Sequence, residues 1–350
     1  MKHPEWNIYF STLTNTGMKV AKEKIKNADN IFFVPFDFRH VVQKFFRALN
    51  PQIFVLAESE FWPNLLRKAQ KMTKGVLLIN GRISTLSYKR YRKFKFFSKK
   101  ILKNINIFLV QTERDKENFR NIGVSPHLIK VAGNLKSEVD LPLLNDNEIS
   151  NLKKGLGIAK GKKVIIAGST RKGEEKILLD AFSEARKKRD DLLFIIAPRH
   201  IERCDEIKKI CEDFSFEVMR RTLVSPDSQW DVLILDTIGE LAQFYALSDV
   251  AFIGGSLVSW GGHNLLEPAF YSKPIFFGPH MKNFAFLAEK FIQSDAAKVI
   301  QEESELVRMF LSEDEKLLQE TGRKAKETLN SLQGTTEKIL ETIENFLIET

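Results

Sequence analysis

Glycine loops in the segment 236–283 carry the residue types best suited to chemistry. Gly254-Gly255-Ser256 and Gly278-Pro279-His280 each follow a short apolar run, and Gly261-Gly262-His263-Asn264 lies between them. Glycine lets the backbone approach a ligand closely, and free N–H groups at the start of a helix attract phosphate. This pattern predicts a site for an anionic, sugar-bearing nucleotide.

Two glutamates accompany these loops, each in the first turn of a predicted helix. Glu240 and Glu267 are 27 residues apart, with His263 and Asn264 between them. Acidic residues are favoured in a first turn without any ligand, so helix capping explains either glutamate alone. Two units of glycine loop and glutamate so close together favour a binding site instead.

Further candidates follow other apolar runs. Glu58 and Glu60 come directly after the run 53–57, where two acids can transfer a proton, stabilise a cationic sugar transition state or form a solvated loop end. Arg199 follows another run and a proline, and its guanidinium suits either a phosphate or a helix-flanking salt bridge. The loop Gly168–Gly173 lacks the spacing of a P-loop, which excludes a P-loop ATPase, and its position suits a loop that faces the donor or the acceptor.

Apolar runs alternate with helical patterns along the chain, which predicts an α/β protein with two doubly wound, parallel sheets. The Pro- and Asn/Asp-rich stretch 140–147 predicts a linker, so we expect domains over 1–145 and 146–350. Lys324–Ile348 is predicted to be one long closing helix. The predicted strands are Asn7–Thr14, Ile31–Val34, Ile53–Ala57, Val76–Ile79, Ile107–Val110, Leu128–Ala132, Lys162–Ala167, Leu192–Ala197, Val232–Leu235, Val250–Ile253 and Pro274–Phe277.

The composition is that of a globular protein, with 43% hydrophobic and 28% charged residues. No apolar run approaches the ~18–20 residues that a membrane-spanning helix needs. The two cysteines, Cys204 and Cys211, indicate a reducing compartment and no disulfide framework, and we expect them to be surface or core thiols.

The net charge of +9 is concentrated in one region. Between Phe61 and Thr112 there are thirteen Lys or Arg and no Asp or Glu, and the densest part, 89–103, also contains four aromatic residues. Three interpretations stay open for this run: a solvated helix face, a nucleic-acid surface, or a contact with an anionic membrane.

Several motifs resemble one family in the same order. GGSLVSWGGHNLLEPA at 254–269 and KPIFFGPHMKNF at 273–284 resemble the nucleotide-sugar site of 3-deoxy-D-manno-octulosonic acid (Kdo) transferases. Other matching segments are AESEFWPNLL at 57–66, NGRIS at 80–84, QTERD at 111–115, GNLKSEVD at 133–140, AGSTRKGEE at 167–175, APRH at 197–200 and DTIGEL at 236–241.

The resemblance implies a fold of the GT-B type, with an acceptor-side N-terminal domain and a CMP-Kdo-binding C-terminal domain, both Rossmann-like. It also implies an inverting glycosyltransferase that needs no metal or other cofactor and moves Kdo from CMP-Kdo to a lipid A precursor, lipid IVA. Such an enzyme builds the inner core of lipopolysaccharide at the cytoplasmic face of the bacterial inner membrane. The basic run then favours a peripheral membrane contact, and no nucleic-acid partner is expected.

The family's site residues carry over individually. Glu58 matches a glutamate that assists the transition state, with Glu60 as the second choice, and Lys136 matches a transition-state lysine. A surface role is the alternative for Lys136, because Ser137-Glu138 departs from the family's aromatic residue and aspartate. The residues that match CMP contacts are Pro198, Arg199, Ile238, Gly239, Glu240, Asn264, Leu265, Leu266 and Glu267.

The start of the sequence departs from the family pattern. Family members begin with an apolar membrane-proximal segment and a Ser-Val-Gly-Glu loop that supplies the proposed base, whereas Asn7–Thr14 matches the family's second strand. We therefore expect the first sheet to lack an inner strand, a helix and the base, and we expect either a fragment or misassigned start of the sequence, or an impaired product. The alternatives to an active transferase are an impaired nucleotide-sugar or lipid-binding remnant, or another GT-B enzyme such as a nucleotide-sugar epimerase.

Overall fold

The computed structural model describes residues 3–25, 31–311 and 314–349. It divides the chain into two compact units. The first unit comprises Met1–Leu135 together with Gly334–Thr350, and the second comprises Lys136–Gln333. This division differs from the expected boundary between residues 145 and 146, because the last helix belongs to the first unit and the linker to the second.

The first unit contains two parallel sheets with helices between consecutive strands. Parallel pairing orders one sheet β1-β2 and the other β3-β4-β5-β6. The strands are β1 Phe10–Thr12, β2 Ile31–Phe33, β3 Ile53–Ala57, β4 Gly75–Gly81, β5 Ile107–Val110 and β6 Ile129–Val131. The helices are α1 Asn15–Lys24, α2 Arg39–Leu49, α3 Pro63–Met72, α4 Thr85–Lys93, α5 Lys95–Leu102, α6 Glu113–Asn121 and, at the chain's end, α15 Thr335–Glu349.

A cavity of about 840 Å³ lies between the two sheets of the first unit. Side chains of β1 and β2, such as Phe10 and Phe32, line one side, and those of β3, such as Phe54 and Val55, line the other. Among the described strands, β1 pairs only with β2 and β3 only with β4. The expected lack of an inner strand stays a prediction.

The second unit is built on one seven-stranded parallel sheet of order β13-β12-β11-β7-β8-β10-β9. Its strands are β7 Lys163–Thr170, β8 Leu192–Pro198, β9 Val218–Arg220, β10 Val232–Ile234, β11 Val250–Ile253, β12 Ile275–Phe277 and β13 Ala297–Val299. Its helices are α7 Asp146–Gly155, α8 Glu174–Arg186, α9 Cys204–Asp213, α10 Leu241–Leu247, α11 Leu266–Phe270, α12 Ala285–Gln293, α13 Glu303–Leu311 and α14 Glu315–Leu332.

Helices cover both faces of this sheet. Its central strands are therefore continuous apolar runs, since the side chains on both faces are buried. Every residue of β11 is buried, and so is every residue of β8. Alternate β7 side chains enter different cores: Ile165 packs with α8 and α13, and Ile166 packs with α10. The sheet is therefore a rigid platform for the loops at its edge.

The long closing helix predicted over Lys324–Ile348 is wrong. The structure has two helices instead, α14 and α15, and α14 ends at Leu332. Gly334, between the two, has φ +83°, a left-handed conformation that interrupts a right-handed helix. α15 then packs on the first unit, where Ile339 and Ile343 contact Leu77 and Leu109.

Candidate functional site

The second unit has a topological switch point at β7, which lies between β8 and β11. Gly168 of β7 is in register with Ala197 of β8 and with Ile253 of β11, so the loops after these three strands emerge at one edge. Open parallel sheets bind ligands at such a point, outside the carboxyl ends of the strands. The residues predicted to bind the donor lie at the end of β8 or in the loops that follow β8, β10 and β11.

A buried glutamate joins the loops that follow β7 and β11. The Glu174 carboxylate is fully buried and accepts from the backbone N–H groups of Arg171 (2.9 Å), Gly255 (2.5 Å), Ser256 (2.9 Å) and Leu257 (2.8 Å). Burial raises the pKa of Glu174, and the four donors oppose that shift. Gly255 has φ +68°, which allows the tight turn over this carboxylate.

A cluster of basic and aromatic side chains lies beside Glu174 and consists of Arg171, His200, Trp260 and His263. The Arg171 Nε donates to His263 Nε2 (3.2 Å), its Nη1 lies 2.9 Å from His200 Nε2, and its guanidinium stacks 4.8 Å from the ring of Trp260. Burial, together with the charges of Arg171 and Arg199, lowers the pKa of His263 to about 4. The imidazole of His263 is therefore neutral near pH 7, and the positive charge is on the guanidiniums.

Pro198 and Arg199 lie where β8 ends. Pro198 is buried, and the backbone N–H of Arg199 donates to the carbonyl of Thr170 (3.1 Å), which fixes the start of the loop against β7. The guanidinium of Arg199 is exposed and forms no hydrogen bond or ion pair with the described residues. It is thus available to an anion at the switch point.

Ile238, Gly239 and Glu240 lie in the loop between β10 and α10. Ile238 is 84% exposed, so this apolar side chain projects into solvent where a nucleoside base can pack against it. Glu240 pairs with Arg221 (3.1 Å) and accepts from the hydroxyl of Thr237. Its carboxylate is therefore already held in place by two partners.

Asn264 to Glu267 turn from the glycine loop into α11. Asn264 Oδ1 accepts from the backbone N–H of Leu266 (3.1 Å), which fixes the turn. Leu265 and Leu266 are fully buried in the core, so contact with a ligand would be through their backbone. Burial raises the pKa of Glu267, whose carboxylate has no hydrogen-bond donor among the described residues.

Of the two residues predicted to be catalytic, Glu58 belongs to the first unit and Lys136 is the first residue of the second unit. Glu58 is exposed directly after β3 in the first unit, and its φ of +63° is an uncommon conformation that often marks functional positions. Its backbone N–H donates to the carbonyl of Ile79 (3.0 Å). Lys136 is exposed in a short 3₁₀ turn, Leu135–Ser137, at the division between the units.

Arg171 lies in the loop Gly168–Gly173, which was expected to face the donor or the acceptor, whereas Trp260, His200 and Glu174 join the site without having been predicted for it. Their signal was present, because Arg171 and Glu174 lie in the motif AGSTRKGEE, which follows a strand, and His200 lies in APRH. Within the described ranges, no group of three or more His, Cys, Asp or Glu side chains is placed to hold a metal ion. Cys204 and Cys211 are core thiols of α9, and burial raises their pKa values to about 11 and about 12.

A family profile and two sequence relatives connect this chain with Kdo transferases and other glycosyltransferases. The profile of the family described as 3-deoxy-D-manno-octulosonic-acid transferase (kdotransferase) matches residues 1–139. A bifunctional glycosyltransferase/methyltransferase of Fusobacterium nucleatum is 33% identical over 307 residues, covering 86% of this chain and 47% of that protein. A 3-deoxy-D-manno-octulosonic acid transferase of Chlamydophila psittaci is 30% identical over 299 residues, covering 84% of this chain and 68% of that protein.

The chain therefore spans about half the length of the first of these relatives and about two thirds of the second. Among solved structures, a glycosyltransferase from Rickettsia africae aligns with a TM-score of 0.59 at 12% identity, over 97% of this chain and 90% of that chain. At so low an identity the likeness shows the fold alone. It confirms the predicted α/β fold of the GT-B type.

Proposed function

This chain belongs to the family of Kdo transferases, and we propose that it moves Kdo from CMP-Kdo to a lipid A precursor, lipid IVA, in the synthesis of the lipopolysaccharide inner core. The observation that carries the proposal is the switch point of the second unit. There, Arg171 and Arg199 are guanidiniums that no acidic side chain of the described residues pairs with. CMP-Kdo is an anion, so this unit is the proposed donor-binding unit.

The donor contacts follow from the chemistry of the loops. Arg199 offers a fork-shaped donor to the phosphate of CMP. The Glu267 carboxylate, half-buried and without a donor among the described residues, suits the hydroxyl groups of the ribose. Backbone groups from Ile238 to Glu240 and from Asn264 to Leu266 complete the proposed CMP contacts.

The reaction is proposed to be inverting and metal-independent. Positive charge near the phosphate stabilises the negative charge that develops on departing CMP, and guanidinium and ammonium groups can supply it without a metal ion. Lys136 is proposed for this role. Glu58 is proposed to stabilise the cationic character of the sugar in the transition state.

The acceptor is a phosphorylated lipid, which requires the protein to reach the membrane surface. Phe94, between α4 and α5, and Phe96 and Phe97 of α5 are 61%, 86% and 59% exposed among exposed Lys and Arg residues. In the part of the chain that the structure describes, no helix is both long and apolar enough to cross a bilayer. We therefore propose a peripheral contact with the cytoplasmic face of the inner membrane.

Transfer is tested directly with CMP-Kdo and lipid IVA in mixed vesicles, the product being identified by mass spectrometry. The proposal predicts a product that is heavier by one or more Kdo residues and is lost in Glu58→Gln and Lys136→Ala. Binding of CMP-Kdo without any product would favour the alternative of an impaired nucleotide-sugar-binding protein. A folded chain that binds neither CMP-Kdo nor lipid IVA would contradict the proposal.

A further inference from the structure

Arg171 is held in a fixed position by side chains of which none is acidic. His263 and His200 accept from its Nε and Nη1, and Trp260 lies against the flat face of the guanidinium. The Nη2 nitrogen has no acceptor among the described residues. These contacts already hold the guanidinium in one orientation. Binding an anion at Nη2 therefore costs little further conformational entropy of the side chain.

The acidic side chains around Arg171 all have other partners. Glu174 accepts four backbone N–H groups, and one of these belongs to Arg171 itself. Glu175 and Glu206 pair with Arg203, at 2.7 Å and 3.1 Å. Among the described residues, no carboxylate therefore pairs with the guanidinium of Arg171.

The two histidines add acceptors rather than charge. Both present Nε2 to a guanidinium, which is always protonated and only donates, so Nε2 of each ring carries no proton. A protonated His263 would repel Arg171 and Arg199. The cluster thus orients one guanidinium and leaves a second, Arg199, exposed beside it.

A sugar acid linked to a nucleotide presents two anions on one carbon. In CMP-Kdo the anomeric carbon carries both the carboxylate of the sugar and the oxygen that joins it to phosphate. Two guanidiniums at one sheet edge match such a pair, and the planar fork of arginine fits a carboxylate through two parallel hydrogen bonds.

We infer that Arg171, oriented by His263 and Trp260, binds the carboxylate of the donor sugar and selects a sugar acid over a neutral sugar. This inference rests on the proposed function, in which the second unit binds the donor. Arg199 then contacts the phosphate. The exposed ring of Trp260, 57% exposed, offers an apolar face beside the carboxylate on which the sugar can pack.

The test asks whether Arg171 is the residue that makes the chain bind an analogue with a sugar carboxylate more tightly than one without it. Calorimetry is carried out with CMP, with a hydrolysis-resistant phosphonate analogue of CMP-Kdo, and with the same analogue as a carboxamide. The parent chain is expected to bind the acid about 10- to 100-fold more tightly than the amide, as charge-assisted hydrogen bonds allow. Arg171→Gln is expected to bind acid and amide equally and to keep the affinity of the parent for CMP.

Lys172→Gln is the matched control, because it removes the same charge from the next residue, where the side chain is 79% exposed. It should keep the preference for the acid. Arg171→Lys, which retains the charge but loses the fork, should keep only part of that preference and serves if the Gln variant does not fold.

The remaining outcomes separate failure of the inference from failure of the proposed function. If Arg171→Gln still prefers the acid, the carboxylate lies elsewhere and the inference is wrong. If it weakens CMP as much as the acid analogue, Arg171 binds the phosphate and the inference is wrong. If the folded parent binds no CMP at all, the proposed function fails as well.

Discussion

The Glu174 carboxylate holds together two loops that are distant in sequence. Its partners Gly255, Ser256 and Leu257 follow it by 81 to 83 residues, and they open the glycine loop after β11. A carboxylate that accepts four backbone donors in a fully buried place satisfies groups that would otherwise be costly to bury. Glu174 therefore positions the loops on which the basic cluster is built.

Glu174→Gln should destabilise the protein. An amide has one acceptor oxygen where the carboxylate has two, and its own N–H groups would face backbone donors. We expect the free energy of unfolding to fall by about 2 kcal/mol or more. Urea unfolding measures this, with the exposed Glu202→Gln as control. Equal stability of the two variants would contradict the role given to Glu174.

His263 should make stability depend on pH. Its pKa of about 4 in the folded protein lies below the ordinary 6.5, so the unfolded chain binds the additional proton and is favoured as the pH falls from 6.5 toward 4. Between pH 7 and pH 4.5 we expect the parent to lose about 2 kcal/mol more than His263→Gln does. If the free energy of unfolding changes equally with pH in the two proteins over this range, the pKa of His263 is not lowered and this prediction is wrong.

For single residues, the sequence predicted the place of a side chain at the edge of the sheet better than it predicted which other residues that side chain contacts. Arg199, Glu240 and Glu267 follow strands or begin helices, so local patterns were sufficient to place them at the edge of the sheet. The contact of Arg171 with His263 spans 92 residues, and that of Glu174 with Gly255 spans 81. Contacts of that kind depend on the order of strands, which no local pattern gives.

The strands differ in how clearly the sequence predicted them. The predicted strands Ile107–Val110 and Val250–Ile253 agree with β5 and β11 in both bounds, because a short, continuous apolar run between turn residues is typical of a buried strand. β9 and β13 were not predicted. Both are three residues long at the edges of the sheet, and they are less buried than the central strands.

The basic helices α4 and α5 should bind anionic membranes. Each cation near an anionic surface contributes about 1 kcal/mol, and salt screens that contribution. We expect the chain to sediment with anionic vesicles, less with zwitterionic ones, and to be partly released by salt. Replacing Arg92, Lys93 and Lys95 by Gln should weaken sedimentation and leave CMP affinity unchanged.

The control for these helices removes three positive charges from the second unit. Lys188, Lys209 and Lys316 are exposed there, and their replacement by Gln should leave sedimentation unchanged. If both triple variants bind vesicles as the parent does, the basic run is a solvated surface. If both weaken equally, only the net charge of the protein matters.

At the scale of the whole molecule, the sequence predicted two parallel α/β units but not the return of the chain. The alternation of apolar runs and helical patterns predicted one sheet for each unit, whereas the described strands of the first unit form two sheets. The sequence did not show which unit α15 packs on. An amphipathic helix shows that one face is covered, and not which sheet covers it. Gly334 lies at both the break between α14 and α15 and the division between the units.

CMP binding by the whole chain should not require a divalent metal ion. The guanidinium of Arg199 can neutralise a phosphate directly, as a metal would in other nucleotide sites. We expect calorimetry to give the same affinity for CMP with EDTA as with magnesium. Loss of binding on chelation, restored by magnesium, would contradict this part of the proposal.

The central claim is that the second unit binds the nucleotide of the donor at its switch point. Calorimetry with CMP on the parent and on Glu267→Ala tests it most directly, with the exposed Glu289→Ala as control. We predict one CMP per chain, about 10-fold or more weaker binding by Glu267→Ala, and unchanged binding by the control. A folded parent that binds no CMP, or equal affinities for the parent and Glu267→Ala, would contradict the assignment of the site.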